Sequence, residues 1–220
     1  MSISENLKSL KAELPKDVCL VAVSKTKPVE ALEEAYAQGQ RIFGENRIQE
    51  MQEKAKVLPK DIQWHMIGHV QDNKIKYMAD FVSLVHGMDK PKRLKALNKE
   101  AAKVNRVIDC LVQVHIAEEE SKFGFDYQEA EALFKSEIES LYPNIRICGL
   151  MGMATFTDDK EQVEREFAGL KSFYDKIKAQ LYNADHFNIL SMGMSGDFKL
   201  AIKQGSNMVR IGSSIFGARN

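Results

Sequence analysis

The sequence lacks a charge imbalance: 31 Lys and Arg stand against 31 Asp and Glu, for zero net charge at neutral pH. With no global field drawing the chain to polyanions, neither nucleic acid nor an anionic membrane is expected as a partner. It also lacks a disulfide framework. The cysteines number three, an odd count, and Cys19, Cys110 and Cys148 each lie in an apolar run, so they read as buried, reduced thiols. No stretch approaches the roughly 18 apolar residues of a membrane span. The charged opening MSISENLKSLKAEL does not read as a signal peptide, and no Asn-x-Ser/Thr acceptor occurs. A cytoplasmic location is expected. There is no Pro/Gly/Ser-rich linker and no low-complexity tract, so residues 1–220 are expected to form one domain.

What is present is an ordinary globular balance, 44% hydrophobic and 28% charged over 220 residues. A chain of this length buries roughly 70% of the surface its unfolded form exposes, enough to fold without metal or disulfide. Short β-rich apolar runs alternate with longer charged segments. The strand candidates are residues 18–23, 41–43, 62–67, 81–85, 107–114, 145–150, 187–190 and 207–211. Between them lie helical patterns. In the clearest, Val163, Phe167, Leu170, Phe173, Tyr174, Ile177 and Leu181 step by three or four and form one apolar stripe. Pro28, Pro91 and Asp126 mark helix starts, and residues 5–14 form an extra helix before the first strand. This repetition suits a single (β/α)8 TIM barrel with an extra N-terminal helix better than an open, doubly wound sheet. No GxGxxG opens a helix anywhere, which weighs against a dinucleotide fold.

Loops at the carboxyl ends of barrel strands gather at one mouth. Those ends carry Ser24-Lys25-Thr26-Lys27, Gly44-Glu45-Asn46, Gly68-His69, His86-Gly87, Met151-Gly152-Met153, Ser191 to Gly196, and Arg210 to Ser214. The last two pair Gly and Ser with a following helical segment, SGDFKLAIKQ and SSIFG, which leaves backbone N–H groups aimed at an anion. Ser195 and Ser213 read equally well as simple helix N-caps. Lys25 directly follows VAVS, where an apolar setting would disfavour its charged form and make it an amine nucleophile; Lys27 is a rival that spacing does not eliminate. A lysine nucleophile, an anion cradle and an arginine at one mouth together suggest pyridoxal phosphate (PLP). His65 and His69 sit four apart on a strand pattern and read as satisfied histidines, with metal a remote alternative. Met151, Met153, Met192 and Met194 read as packing, or as a soft wall beside a planar ligand. Glu118-Glu119-Glu120 reads as a solvated loop.

The strings AVSKTKP at 22–28, FGENRIQE at 43–50, WHMIGHVQDNK at 64–74, GLMGMA at 149–154, SMGMSGDF at 191–198 and VRIGSSIFG at 209–217 occur in order over nearly the whole chain. In these the sequence resembles the YggS/PROSC family, the pyridoxal phosphate homeostasis proteins. The resemblance implies a barrel like the amino-terminal domain of alanine racemase. It implies a Schiff base between Lys25 and PLP, Arg210 facing the pyridine nitrogen, and a phosphate held by Ser195 and the N–H groups of Gly212 and Ser213. Asn46 would lie beside the cofactor. Many relatives carry Thr-Ala where this chain has Ser213-Ser214; the hydroxyl is kept.

An arginine at the ring nitrogen would keep it unprotonated and weaken the ring as an electron sink. Alanine racemase adds a tyrosine base from a second domain, and no such domain is expected here. The expected function is therefore to carry and buffer PLP and to regulate its level and amino-acid homeostasis, without robust turnover. Apo-enzymes that need PLP are the expected recipients, and the chain is expected to be a monomer. The alternatives are a single-domain racemase or decarboxylase using His69 or His86 as base, and a sugar-phosphate enzyme without cofactor.

Overall fold

The computed structural model describes residues 2–119, 123–136, 138–182 and 184–217. Helix α1 (Ile3–Glu13) opens on a capping box, in which the Ser2 hydroxyl accepts from the Glu5 amide and the Glu5 carboxylate accepts from the Ser2 amide. It realises the expected extra helix. Then β1 (Cys19–Val23), α2 (Val29–Ala37), β2 (Ile42–Glu45), α3 (Ile48–Val57) and β3 (Gln63–Met66) follow. A 3₁₀ turn over Asp72–Tyr77 leads to β4 (Val82–Met88), α4 (Pro91–Lys103), β5 (Ile108–Gln113), α5 (Tyr127–Lys135), α6 (Ile138–Leu141) and β6 (Ile145–Met151). The chain continues through α7 (Lys160–Gln180), β7 (Ile189–Ser191), α8 (Phe198–Lys203), β8 (Met208–Ile211) and α9 (Ser213–Phe216).

The strands pair in parallel in sequence order, and β8 returns to β1 with Cys19 opposite Met208 and Val21 opposite Arg210. This is the closed (β/α)8 barrel expected from the alternation. Alternate strand residues face inward. The inner core is small: Val21, Leu84, Leu111, Cys148, Met151 and Met208. The intervening residues, such as Leu20, Ala22, Phe43, Trp64 and Val209, belong to the larger layer between strands and helices. On α7 the stripe from Val163 to Ile177 is buried as its spacing requires, while Leu181 forms the C-cap. Among the described residues no helix is long and apolar enough to cross a membrane. Cys19, Cys110 and Cys148 are free thiols, the last two buried.

Strand β4 extends beyond its expected end, so His86 lies within the strand. Its side chain faces the barrel interior with no solvent exposure and is not at the mouth. A polar ring is tolerated there because it finds polar partners, described below.

Candidate functional site at the barrel mouth

Inward alternation carries β1 from Val21 through Val23 to Lys25, and β8 from Met208 through Arg210 to Gly212. At the mouth these meet in a cavity of about 450 Å³ whose lining includes Val23, Lys25, Asn46, Ile67, Arg210 and Gly212. Ser195 and Ser213 also line it, so all six residues expected from the sequence to contact a cofactor share this one cavity. Its size falls in the roughly 300–1,000 Å³ range of small-molecule sites. The lining carries three cationic side chains, Lys25, Lys27 and Arg210, and one carboxylate, Asp197, an excess of positive charge suited to an anion. A larger groove of about 760 Å³ abuts the cavity through Ser195, Gly196 and Asp197, but neither Lys25 nor Arg210 lines it. The chemistry therefore belongs to the smaller space.

The Lys27 Nζ donates to the Phe216 carbonyl at 2.9 Å, which ties it to the end of α9. The alternative reading of Ser195 and Ser213 as simple helix N-caps is not realised. Asp197 precedes α8 and Gly212 precedes α9. The Gly212 amide instead donates to the Ser195 hydroxyl at 3.3 Å, joining the loops that follow β7 and β8. A Cβ at Gly212 would sit 3.0 Å from the Val23 carbonyl oxygen and 3.2 Å from its Cβ. A side chain there would crowd the end of β1. Gly68 is packed as closely on the other side, since a Cβ would stand 2.4 Å from the Asn46 carbonyl oxygen; Asn46 is thus pressed against the end of β3.

Arg210 is buried, and its guanidinium is fixed by three hydrogen bonds. Nη1 donates to the Ser191 carbonyl at 2.9 Å and to the Ser191 hydroxyl at 2.6 Å, and Nη2 donates to the Gly152 carbonyl at 3.0 Å. Burial pulls its pKa down to about 10, opposed by the charge of Asp197, so it remains a cation at neutral pH. Behind it runs a chain that sequence reasoning did not find. Ser191 Oγ lies 3.2 Å from His86 Nδ1, and His86 Nε2 lies 3.1 Å from His65 Nδ1. Burial lowers the pKa of both rings, His65 to about 3 and His86 well below the usual imidazole value.

His69 follows another course. Its Nε2 accepts from Arg93 Nη2 at 2.7 Å, its ring packs on Phe123, and Arg93 is itself ion-paired with Asp89. It is not part of the cavity lining. Of the methionine set, Met153 and Met194 line the cavity, with Phe156, whereas Met151 and Met192 are core. Glu118 and Glu119 are not simply solvated: the Glu118 amide donates to Thr155 Oγ1, and Glu119 Oε1 accepts from the Phe156 amide. Glu120 lies outside the described residues.

A parallel barrel with a glycine- and lysine-lined anionic-ligand cavity at its mouth defines a class of binding fold. The family described as "Alanine racemase, N-terminal domain" matches residues 1–220. The pyridoxal phosphate homeostasis protein of Vibrio alginolyticus is 39% identical over 234 residues, covering 100% of this chain and 98% of that protein. The chain belongs to the alanine racemase N-terminal domain family, among its pyridoxal phosphate homeostasis proteins. PipY of Synechococcus elongatus with PLP bound superposes with a TM-score of 0.86 at 33% identity, over 98% of this chain and 100% of that one. Without PLP the same protein gives 0.90 at 34% identity over the same shares. The alanine racemase of Clostridium difficile, 18% identical, has a TM-score of 0.77 and shares the fold over 99% of this chain and 56% of its own.

Proposed function

We propose that the chain is a single-domain carrier and buffer of PLP, holding the cofactor in the barrel-mouth cavity and passing it to apo-enzymes. The observation that carries this reading is the convergence of Lys25, Asn46, Ser195, Arg210, Gly212 and Ser213 on one cavity with excess positive charge. The residues present fit the group. Gly212 leaves room where a Cβ would crowd the wall, Ser195 and the amides of Gly212 and Ser213 would hold the phosphate, and Asn46 would lie beside the ring. Relatives named for PLP homeostasis over the whole chain, and PipY with PLP bound, support the same ligand.

When bound, PLP supplies an aldehyde for an amine and a ring that withdraws electrons. Lys25 supplies that amine. Arg210, charged and held by Ser191 and Gly152, would face the ring nitrogen as a donor and keep that atom unprotonated. Such a ring is a weak electron sink, which favours carrying over turnover. The positions of the histidines support this. His86 is buried behind Arg210 with its Nδ1 on Ser191, and His69 Nε2 is taken by Arg93, so neither presents a base to the cavity. The protein acts in the cytoplasm as a monomer.

Two assays test the reading together: loss of α-deuterium from labelled amino acids, and cofactor transfer to an apo-enzyme in the presence of a scavenger for free aldehyde. Negligible exchange with protected transfer is expected. Rapid exchange that disappears in His69→Ala or His86→Ala would establish an amino-acid enzyme instead.

A further inference from the structure

Both peptide units that flank Lys25 are gripped from outside the barrel. The Ser24 carbonyl accepts from Lys54 Nζ at 2.8 Å, and the Thr26 amide donates to Glu50 Oε1 at 2.6 Å. Lys54 also donates to Glu45 Oε1 at 2.8 Å and to Glu50 Oε1 at 2.7 Å, which uses its three N–H donors. The Ser24 hydroxyl donates to Glu45 Oε1 at 2.6 Å. Glu45 and Ser24 are fully buried and Lys54 is 6% exposed.

Such a cluster is a poor investment in stability, since a buried ion pair is often no better than apolar side chains of the same volume. What it does accomplish is local. Thr26 adopts a φ of 63°, a left-handed conformation that a β-branched residue disfavours, and the Glu50 acceptor holds its amide there. The backbone is thus fixed immediately before and immediately after Lys25.

We propose that the Glu45–Lys54–Glu50 cluster is a positioning device that clamps Ser24 and Thr26 so that the Lys25 amine meets a carbonyl carbon in the cavity in reacting geometry. The inference rests on the reading that Lys25 takes the cofactor aldehyde. In that condensation the neutral amine nitrogen forms a double bond to the aldehyde carbon, and the carbonyl oxygen leaves as water with both amine hydrogens. The clamp residues touch neither partner; they act through the backbone. Misplacing a reacting group by about 1 Å costs as much as 100-fold in rate.

The test uses the full chain, wild type and four variants: Glu50→Ala, Glu50→Gln, Glu50→Asp and Thr26→Gly. Stopped-flow absorbance follows imine formation with PLP, borohydride reduction with peptide mapping locates the adduct, and pyridoxine 5′-phosphate, an alcohol that cannot condense, reports binding alone. Glu50→Ala should form the Lys25 adduct about tenfold more slowly, with part of the adduct moved to Lys27, while pyridoxine 5′-phosphate binds as to wild type. Glu50→Gln keeps an acceptor for the Thr26 amide and should recover most of the rate. Thr26→Gly keeps the amide that Glu50 holds and adopts a φ of 63° without strain, so it should react as wild type; should Glu50→Ala fail to fold, Glu50→Asp, whose carboxylate is one carbon shorter, carries the same expectation. A wild-type rate in folded Glu50→Ala or Glu50→Asp, or an equal loss of pyridoxine 5′-phosphate binding, would overturn the clamp. If wild type itself forms no adduct at Lys25, the assignment of Lys25 fails, and the clamp with it.

Discussion

Arg210 and Ser191 are joined twice inside the barrel, through the Ser191 carbonyl and through its hydroxyl. A guanidinium only donates, so the hydroxyl accepts from Arg210 and keeps its own hydrogen available for His86 Nδ1, 3.2 Å away. When the hydroxyl donates to Nδ1, the proton of neutral His86 sits on Nε2, 3.1 Å from His65 Nδ1. A line of polar contacts thus runs from the cation under the mouth into the barrel, and both rings remain neutral.

Ser191→Ala should break this line at its centre. His86 Nδ1 loses its partner in a buried setting, at a cost of about 1–3 kcal/mol. Arg210 keeps the carbonyls of Ser191 and Gly152, so it should stay in place. Urea unfolding should show a lower midpoint with an unchanged slope, and pyridoxine 5′-phosphate affinity should change little.

The neutral histidines set a pH dependence. In the folded chain burial puts His65 near 3 and His86 well below its usual value, while in the unfolded chain each titrates near 6.5. The unfolded state therefore binds more protons, and the stability this represents is present above about pH 6.5 and lost as pH falls toward the folded values. The limiting slope is about 1.4 kcal/mol per pH unit for each ring. Glu45 runs the opposite way, because burial raises its carboxyl pKa against the pull of Lys54 and Ser24. The comparison that isolates the rings is wild type against a His65→Gln/His86→Gln double variant between pH 6.5 and 4.5. Wild type should lose stability more steeply; parallel curves would refute the neutral pair.

Gly212→Ala tests the cradle. The φ of Gly212, −121°, suits any residue, so the new methyl acts through crowding against the Val23 backbone and side chain. Overpacking of this kind costs about 1–3 kcal/mol, and the shift should fall on the amides that face the phosphate. Titration should show pyridoxine 5′-phosphate weakened about tenfold or more, with a smaller effect on pyridoxine, which lacks the phosphate.

The barrel and the mouth were legible because both depend on alternation and on residue types that change abruptly at strand ends. Lys25, Asn46, Ser195, Arg210, Gly212 and Ser213 stood out there, and they line one cavity. His86 was misplaced because a histidine beside Gly87 reads as a strand end, whereas β4 runs on to Met88 and the ring is paired inside. Ser195 and Ser213 read as caps because small hydroxyls precede helices, yet the local geometry puts Asp197 and Gly212 in those positions. The Glu45–Lys54–Glu50 cluster escaped notice because charges on an amphipathic helix normally face water. The four-residue spacing of Glu50 and Lys54 was visible, but nothing in it disclosed that Glu45 would turn outward under α3 to meet them.

Peptide mapping after borohydride reduction of the protein loaded with PLP addresses the proposed cofactor attachment with the least intervening inference. One pyridoxyl group should appear on the peptide that contains Lys25, and it should vanish in Lys25→Ala while the fold persists. A label on Lys27, or no label on a protein that has bound the cofactor, would overturn the assignment.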